Sequence, residues 1–185
     1  IKPFLLNPTK TSRKFSINFF ISDKMIRFAP LKDMNTEEKI NAVLFHIDNV
    51  RRNCNKIGLK LISSGEIEIG RMLISNGQIH DNSKLSGIEF EHLFAGDPLL
   101  PEVVSHHAKT NPHHPEFWGS IHKMPEVYIA EMVCDCAARG SEFGTDVRKW
   151  FSEVSTVKYG FSMDDPCGIL IQKYLDLLLT KPFKQ

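Results

Sequence analysis

A histidine followed directly by an aspartate, His80-Asp81, stands at the end of a segment with helical periodicity. Adjacent side chains at a helix end can both reach one metal ion if the backbone turns there. An imidazole and a carboxylate together are a ligand set for Mn, Fe, Co, Ni or Zn. The dipeptide alone is equally compatible with a surface histidine beside a helix-terminal aspartate, so the surrounding sequence has to decide its interpretation.

Two further polar residues occur where apolar residues are expected. His46 lies among Val43, Ile47 and Val50, close to the apolar face of a predicted helix, and Asp135 lies in an apolar stretch of a later helix. An imidazole or a carboxylate that is buried without a partner is costly. Metal coordination would compensate for both burials, although an ordinary buried hydrogen bond could satisfy either residue.

Most of the histidines are concentrated in one part of the chain. Seven of the eight lie between residues 80 and 122, and the densest group is His106-His107 followed by NPHHPEFW at residues 111–118. These histidines could contact the phosphate or base of a nucleotide, with an aromatic residue of the stretch stacking on the base. They could instead bind a second metal ion, or form a structural corner in which imidazoles cap helix ends.

Two charged residues are spaced to act beside the His-Asp pair. Lys84 follows Asp81 by three positions, where an ammonium group could bind a substrate phosphate or could simply be solvated. Glu131 precedes Asp135 by four positions and therefore shares its helix face. It could act as a general base or orient a metal-bound water, or it could pair with a lysine or arginine.

The elements that must position these residues are helices. Three- and four-residue apolar spacing, caps and proline positions predict an all-α fold with no β-hairpin in the body. A capping box, Ser86-x-x-Glu89, is expected to open a short helix, and residues 110–120 are expected to be a non-helical loop. The expected helices cover about residues 36–62, 66–79, 86–94, 101–107, 125–140, 146–158 and 166–179.

Composition and charge limit the possible functions. The chain has 185 residues, 42% of them hydrophobic, which is enough for one domain with a sizeable core. Its 23 basic and 22 acidic residues leave no strong field, and no run of basic and aromatic residues indicates nucleic-acid binding. No stretch has the length of a membrane span. We therefore expect a helical domain over residues 35–185 without a membrane or nucleic-acid partner.

The first 34 residues differ from the rest, because residues 1–30 carry six basic side chains and one acidic one. We expect an irregular basic extension, with an organelle transit peptide as the alternative. The four cysteines are too few and too unevenly spaced for a secreted disulfide scaffold, which favours a cytoplasmic location with buried structural thiols. Cys134 and Cys136, two residues apart on a helix, point to different faces.

The set His46, His80-Asp81 and Asp135 resembles the HD superfamily of metal-dependent phosphohydrolases. The stretches HDNSKLSGIEFEHLF, HHAKTNPHHPEFW and MPEVYIAEMVCDCAA are similar to those of small HD-like proteins of phages and bacteria, which would place the chain in a host cytoplasm if viral. Leu85 stands where that family has phenylalanine, and Cys136 where an aromatic residue is common. The resemblance implies an HD-like helical bundle, often oligomeric, with those four residues as metal ligands.

The function expected from the residues and the resemblance is hydrolysis of a nucleotide or another small phosphate ester with the help of a divalent Mn, Co, Ni, Zn or Fe ion. The expected catalytic residues are Asp81, Lys84 and Glu131. The expected substrate-binding residues are Lys84, His107, His113, His114 and Trp118. Two alternatives remain open at this point: an HD-type di-iron oxygenase, and a metal-stabilised nucleotide-binding module without catalysis.

Overall fold

The computed structural model describes residues 35–94 and 96–180, and within these ranges the chain is helical and contains no strand. Residues 1–34, expected to be a basic extension, lie outside the described part. Over the described residues no helix is both long enough and apolar enough to cross a bilayer. The α-helices are α1 (Thr36–Ser63), α2 (Ile67–Ile79), α3 (Gly87–His92), α4 (Leu100–Thr110), α5 (Pro115–Trp118), α6 (Glu126–Phe143), α7 (Val147–Trp150), α8 (Thr156–Tyr159) and α9 (Pro166–Leu179).

The long helix α1 begins where the sequence predicts. The Asn35 side chain accepts a hydrogen bond from the Glu38 backbone at 3.0 Å, and the Glu38 carboxylate accepts one from the Asn35 backbone at 2.8 Å. This capping box satisfies two backbone N–H groups that the helix itself cannot. It fixes the first turn of the helix that carries His46.

Helices α1 and α2 pack with their backbones unusually close. A Cβ atom added to Gly70 would lie 2.6 Å from the carbonyl oxygen of Gly58, and one added to Gly58 would lie 2.7 Å from that of Gly70. A Cβ added to Gly77 would lie 2.6 Å from the Cys54 Cβ. Glycine is therefore required at these contacts for steric reasons, and the close packing sets the position of α2 relative to α1.

The core forms where α6 packs against α1, α2 and α9. The expectation of buried thiols holds for Cys54, Cys134 and Cys167, whereas Cys136 is partly exposed, and all four are free. The apolar side chains of this core include Val50, Ile57, Leu61, Leu73, Ile129, Ala130, Val133, Ile171, Tyr174 and Leu175.

Two local predictions between α2 and α6 are wrong. Ser86 is the N-cap residue of α3 by backbone geometry, but its side chain makes no capping hydrogen bond. The Glu89 carboxylate instead accepts a hydrogen bond from Ser83 and contacts His107. Residues 110–120, expected to be non-helical, contain the one-turn helix α5, which begins at Pro115 because proline suits the first helical position.

Short helical turns complete the chain. A 3₁₀ turn at Asn82–Leu85 follows α2, and another at Ile121–Lys123 precedes α6. The segment predicted as one amphipathic helix, 146–158, consists of α7, a π-helical turn at Phe151–Ser155 and α8.

Replacing Gly70 by alanine tests the close packing of α1 and α2. In an exposed helix this change stabilises by about 1 kcal/mol, because alanine has the higher helix propensity. Here the methyl group would collide with the backbone of α1, so we expect the free energy of unfolding to fall by about 1–3 kcal/mol. Urea denaturation measures the change. Ser75→Ala, at an exposed position of the same helix, is the control; an unchanged stability of Gly70→Ala would contradict the packing.

Candidate metal centre

The backbone turns sharply between His80 and Asp81. Helix α2 ends at Ile79, His80 takes φ −50° and ψ 130°, and Asp81 adopts the left-handed conformation with φ 56°. Non-glycine residues rarely do so, and such conformations cost about 1–3 kcal/mol and cluster at functional sites. Because of this turn both side chains are buried, and each residue is only 2% exposed. Burial of both side chains is what a pair of ligands to one metal ion requires.

Helices α1 and α6 bring His46 and Asp135 to the same point. The His46 Nε2 atom lies 3.0 Å from the Asp135 Oδ1 atom and 3.5 Å from the Asp81 Oδ2 atom, which in turn lies 3.4 Å from the His80 Nε2 atom. The four residues that the sequence singled out are therefore adjacent. We call His46, His80, Asp81 and Asp135 the first ligand group.

A second set of imidazoles faces the other oxygen of the same aspartate. The Asp81 Oδ1 atom lies 3.3 Å from the His107 Nε2 atom and 3.5 Å from the His113 Nε2 atom. The rings of His113 and His114 have centroids 4.3 Å apart, and that of His114 lies 4.8 Å from that of His107. Two of the three interpretations of the histidine block, a second metal site and a substrate contact, are compatible with this geometry. His106 is exposed.

Several buried atoms of this cluster have, among the described residues, no hydrogen-bond partner beyond their close contacts with one another. Since buried polar atoms are almost always paired, a group of unpaired atoms of one chemical type needs an explanation. These are nitrogen and oxygen atoms of the kind that coordinate divalent ions, and three-residue sets among them lie close enough to share one ion. The residues present therefore fit a bound metal. The unpaired atoms are His46 Nε2, His80 Nε2, His113 Nε2, His114 Nε2, Asp81 Oδ1 and Asp135 Oδ1.

The other nitrogen of three histidine rings is held by a carboxylate. The His46 Nδ1 atom lies 3.0 Å from Glu142, the His80 Nδ1 atom 2.9 Å from Glu131, and the His107 Nδ1 atom 2.7 Å from Glu89. Such contacts hold a proton on Nδ1 and direct Nε2 inward, so that Nε2 can donate its lone pair once the ring is neutral, which is how metal-binding histidines are usually oriented.

Sequence reasoning missed two of these carboxylates. Glu142 follows Asp135 by seven positions, so with Glu131 it forms a stripe of three acidic residues on one face of α6, and this spacing was a usable signal. The pattern Ser86-x-x-Glu89 predicts a capping role for Glu89, and nothing in the sequence indicates that its carboxylate contacts His107. Glu131 contacts His80 and the Asn76 amide, not the lysine or arginine considered as an alternative.

The titration behaviour of the cluster reflects its crowded carboxylates and imidazoles. Burial lowers the pKa of His80, but Asp81 and Glu131 outweigh it and raise that pKa to about 10; the pKa of His46 is likewise raised by Asp135, Asp81 and Glu142. Burial would raise the pKa of Asp81, but His80 and Lys84 hold it well below its ordinary value. In the metal-free protein, protons therefore supply the positive charge that the carboxylates need.

His113 and His114 behave in the opposite way. Burial together with the neighbouring imidazoles lowers the pKa of His113 well below its ordinary value and that of His114 to about 3. Both rings are therefore neutral near pH 7, which is the form that binds a metal ion or exchanges hydrogen bonds with a ligand.

Lys84 is not the solvated surface lysine considered as an alternative. Its side chain is buried, and its ammonium group contacts the Asp81 carboxylate. It also lines a cavity of about 340 Å³ that opens beside the cluster. His107, His114 and Asp135 line the same cavity, so the cluster is accessible to a small molecule.

Trp118, expected to bind substrate, lies elsewhere. Its indole nitrogen donates a hydrogen bond of 2.8 Å to the Pro112 carbonyl oxygen, and its ring packs 5.5 Å from that of Tyr128. It is not among the described residues that line the cavity, and it packs against the core. The aromatic residues at the cavity wall are Trp150 and Tyr159. The indole thus binds the loop that carries the histidines, and its position gives no support to the expected substrate contact of Trp118.

Comparison with known proteins gives one match. The model of a family of unknown function (DUF5662) matches residues 35–175, which include every residue of the cluster and its supporting carboxylates. No curated protein and no solved structure matches the chain.

The raised histidine pKa values predict a pH dependence of stability in the metal-free protein. Because the pKa of His80 is about 10 in the folded chain and about 6.5 in an unfolded one, its stabilising effect is present below pH 6.5 and is lost as the pH rises toward 10. We expect the Tm of metal-free protein to fall over this range and that of protein with added Zn²⁺ not to fall, since a metal ion binds the neutral ring. Thermal unfolding followed by circular dichroism measures both; parallel curves would contradict the assignment.

Glu131→Gln tests the role of Glu131 as a positioning residue. Its carboxylate holds the His80 ring, so the amide should weaken metal binding about 10–100-fold without unfolding the protein. Competition with a fluorescent chelator measures the affinity. Glu153→Gln, at an exposed position paired with Lys149, serves as the control. Equal affinities of Glu131→Gln and wild type would show that the contact with His80 is incidental.

Proposed function

The chain belongs to the DUF5662 family of unknown function, and we propose that it is a metal-dependent phosphohydrolase that would hold two divalent ions with the imidazoles on either side of Asp81. One observation carries the proposal: the two oxygens of the buried Asp81 carboxylate face two separate pairs of imidazole nitrogens, at the edge of a cavity lined by basic side chains. The sequence resemblance to the HD superfamily supports the same assignment.

The two ions would have different ligands. We assign the first ligand group to one ion, with Asp81 contributing Oδ2. We assign His107, His113 and Asp81 Oδ1 to the other, which changes the expected role of His107 and His113 from substrate contact to metal ligand. Mixed imidazole and carboxylate ligation suits Mn, Fe, Co, Ni or Zn, and the geometry does not favour one of these metals.

Bound divalent ions supply a water of lowered pKa and offset the charge that develops on the phosphate. The residues of the chain prepare that chemistry. Glu131, Glu142 and Glu89 keep the histidine rings oriented, so we assign Glu131 a positioning role and not that of a general base. Lys84 lies between Asp81 and the cavity, where its ammonium can bind a phosphate oxygen. His114, neutral and with an unpaired Nε2 atom, can hydrogen-bond to the same phosphate.

The cavity favours a phosphate ester with a flat or apolar body. Besides Lys84, its wall carries Lys109, Arg139 and Lys158; Arg139 pairs with Glu142 at 3.2 Å and Lys158 with Glu116 at 3.5 Å, but the basic residues of the wall outnumber its acidic residues, which favours an anion. The rest of the wall is largely apolar, and Trp150 and Tyr159 offer ring faces on which a nucleobase can stack. A volume of about 340 Å³ is at the small end of the range for ligand pockets. A nucleotide therefore fits the lining.

A di-iron oxygenase is the second candidate, because the same ligand arrangement could hold two irons. The four basic side chains around the cavity favour the hydrolase, since oxygen chemistry does not by itself require an anionic substrate. A nucleotide-binding module without turnover is the third candidate. Metal analysis and product analysis together separate all three.

Asp81→Asn and Lys84→Met test the hydrolase. Asparagine tolerates the left-handed backbone of Asp81 but removes the bridging charge, so we expect loss of bound metal and phosphate release at the level of a sample without enzyme. Lys84→Met should retain metal and lower kcat about 10²–10³-fold. The assay is phosphate release from a panel of nucleoside mono-, di- and triphosphates with added Mn²⁺, Co²⁺, Ni²⁺ or Zn²⁺.

Lys149→Met, which removes a basic residue outside the cavity, is the control and should retain full activity. Two iron ions per chain, together with oxygen uptake and no phosphate release, would contradict the hydrolase and indicate the oxygenase. Thermal shifts with nucleotides but no product of either kind would replace it by the binding module.

A further inference from the structure

A group of metal-binding side chains outside the candidate centre lies where the turn before α6 meets the beginning of α9. It consists of His122 in the 3₁₀ turn, Asp165 before α9 and Cys167 in the first turn of α9. One ligand atom from each residue can be chosen so that all three lie within 4.8 Å of one another. The group shares no residue with the candidate centre.

The imidazole of His122 is oriented as a ligand. Its Nε2 atom lies 3.3 Å from the carbonyl oxygen of Gly160, an acceptor that places the proton on Nε2. The Nδ1 atom therefore accepts a weak hydrogen bond from the Cys167 thiol, with Nδ1 and Sγ 3.8 Å apart, and a metal ion would take the place of the thiol proton. A backbone carbonyl that binds the distal nitrogen is the usual support of a metal-binding histidine.

Asp165 does not cap α9 with its side chain, and Cys167 does not form a disulfide. Asp165 is the N-cap residue of α9, yet its side chain makes no capping hydrogen bond with that helix. It accepts one from the Ser162 backbone at 2.7 Å through Oδ2. Cys167 is 4% exposed and is a free thiol, so it does not form a disulfide.

We propose that His122, Asp165 and Cys167 form a separate Zn²⁺ site. A thiolate, an imidazole and a carboxylate are the three ligand types that Zn²⁺ accepts, and a thiolate favours zinc over Mn²⁺ or Mg²⁺. Three protein ligands leave the fourth tetrahedral position for water. Ligand atoms bound to one zinc at about 2.0–2.3 Å lie somewhat closer together than the sulfur and nitrogen do here, so only a small inward movement is needed.

The position of the site gives it a structural effect. His122 lies shortly after α5, which itself follows the cluster residues His113 and His114. Gly160, which binds the His122 ring, comes directly after the cavity residues Lys158 and Tyr159. A zinc ion would link both segments to α9. The inference does not depend on the proposed hydrolase activity, because it concerns different residues.

Cobalt substitution tests the site by a signal that the candidate centre cannot produce. A cysteine thiolate bound to Co²⁺ gives a charge-transfer absorption band in the near ultraviolet, whereas imidazole and carboxylate ligands do not. We expect Co²⁺ added to the metal-free full chain to give this band, and Zn²⁺ to abolish it. Elemental analysis of zinc-loaded protein should show one zinc per chain that is lost in the variants below.

Cys167→Ser and His122→Gln should each lose the band and that zinc ion. His122 is exposed, so its replacement should leave the fold intact, as circular dichroism would verify. Cys136→Ser, a control at the one partly exposed thiol of the described residues, and Asp81→Asn, which disables the candidate centre, should both retain the band. Absence of a thiolate band in wild type, or its persistence in Cys167→Ser, would overturn the proposal.

Discussion

The structure depends on the cost of burying unpaired polar atoms. Each buried donor or acceptor without a hydrogen bond costs about 1–3 kcal/mol, and six nitrogen and oxygen atoms around Asp81 have no partner beyond their contacts within the cluster. Dispersed over a protein, they would be isolated defects. Gathered around one carboxylate, they become ligands that a cation can satisfy together. The proposed metal ions thus explain a feature that the protein atoms alone leave unexplained.

The surrounding helices are arranged so that these atoms cannot move apart. Glycines at the contact of α1 and α2 bring the helix of His46 close to the helix that ends at His80. Glutamates on α6 and α3 hold the outer nitrogens of the rings, so that each ring has little freedom to rotate. Ligands held in place before binding lose less conformational entropy when an ion arrives. The packing of the helices therefore determines how well the side chains of the candidate centre are positioned to bind an ion.

Much of this could be predicted from the sequence, because the relevant signals are local. Apolar periodicity located the major helices, and a histidine and an aspartate on otherwise apolar faces indicated His46 and Asp135. Contacts between distant segments could not be predicted in the same way. Whether Glu89 caps its own helix or holds His107 depends on where α4 packs, and the spacing Ser86-x-x-Glu89 is the same in both cases. The packing of Trp118 against the core could not be predicted for a similar reason, since an indole can stack on a ligand or on the core.

The distribution of charge around Asp81 explains why protons and metal ions compete for the centre. Asp81, Asp135 and the supporting glutamates place more negative charge in a small buried volume than the neighbouring Lys84 can balance. In the metal-free protein the deficit is met by protonated His46 and His80, whose pKa values are raised. A bound divalent ion would supply the same positive charge, and the rings would then coordinate it in their neutral form. His113 is neutral because burial and the neighbouring His80 and His114 hold its pKa low, whereas the pKa of His107 is raised, since Asp81 and Glu89 outweigh burial and Lys84. Both proposed positions therefore include an imidazole that must lose a proton before it can bind an ion, so the metal affinity of both should rise with pH.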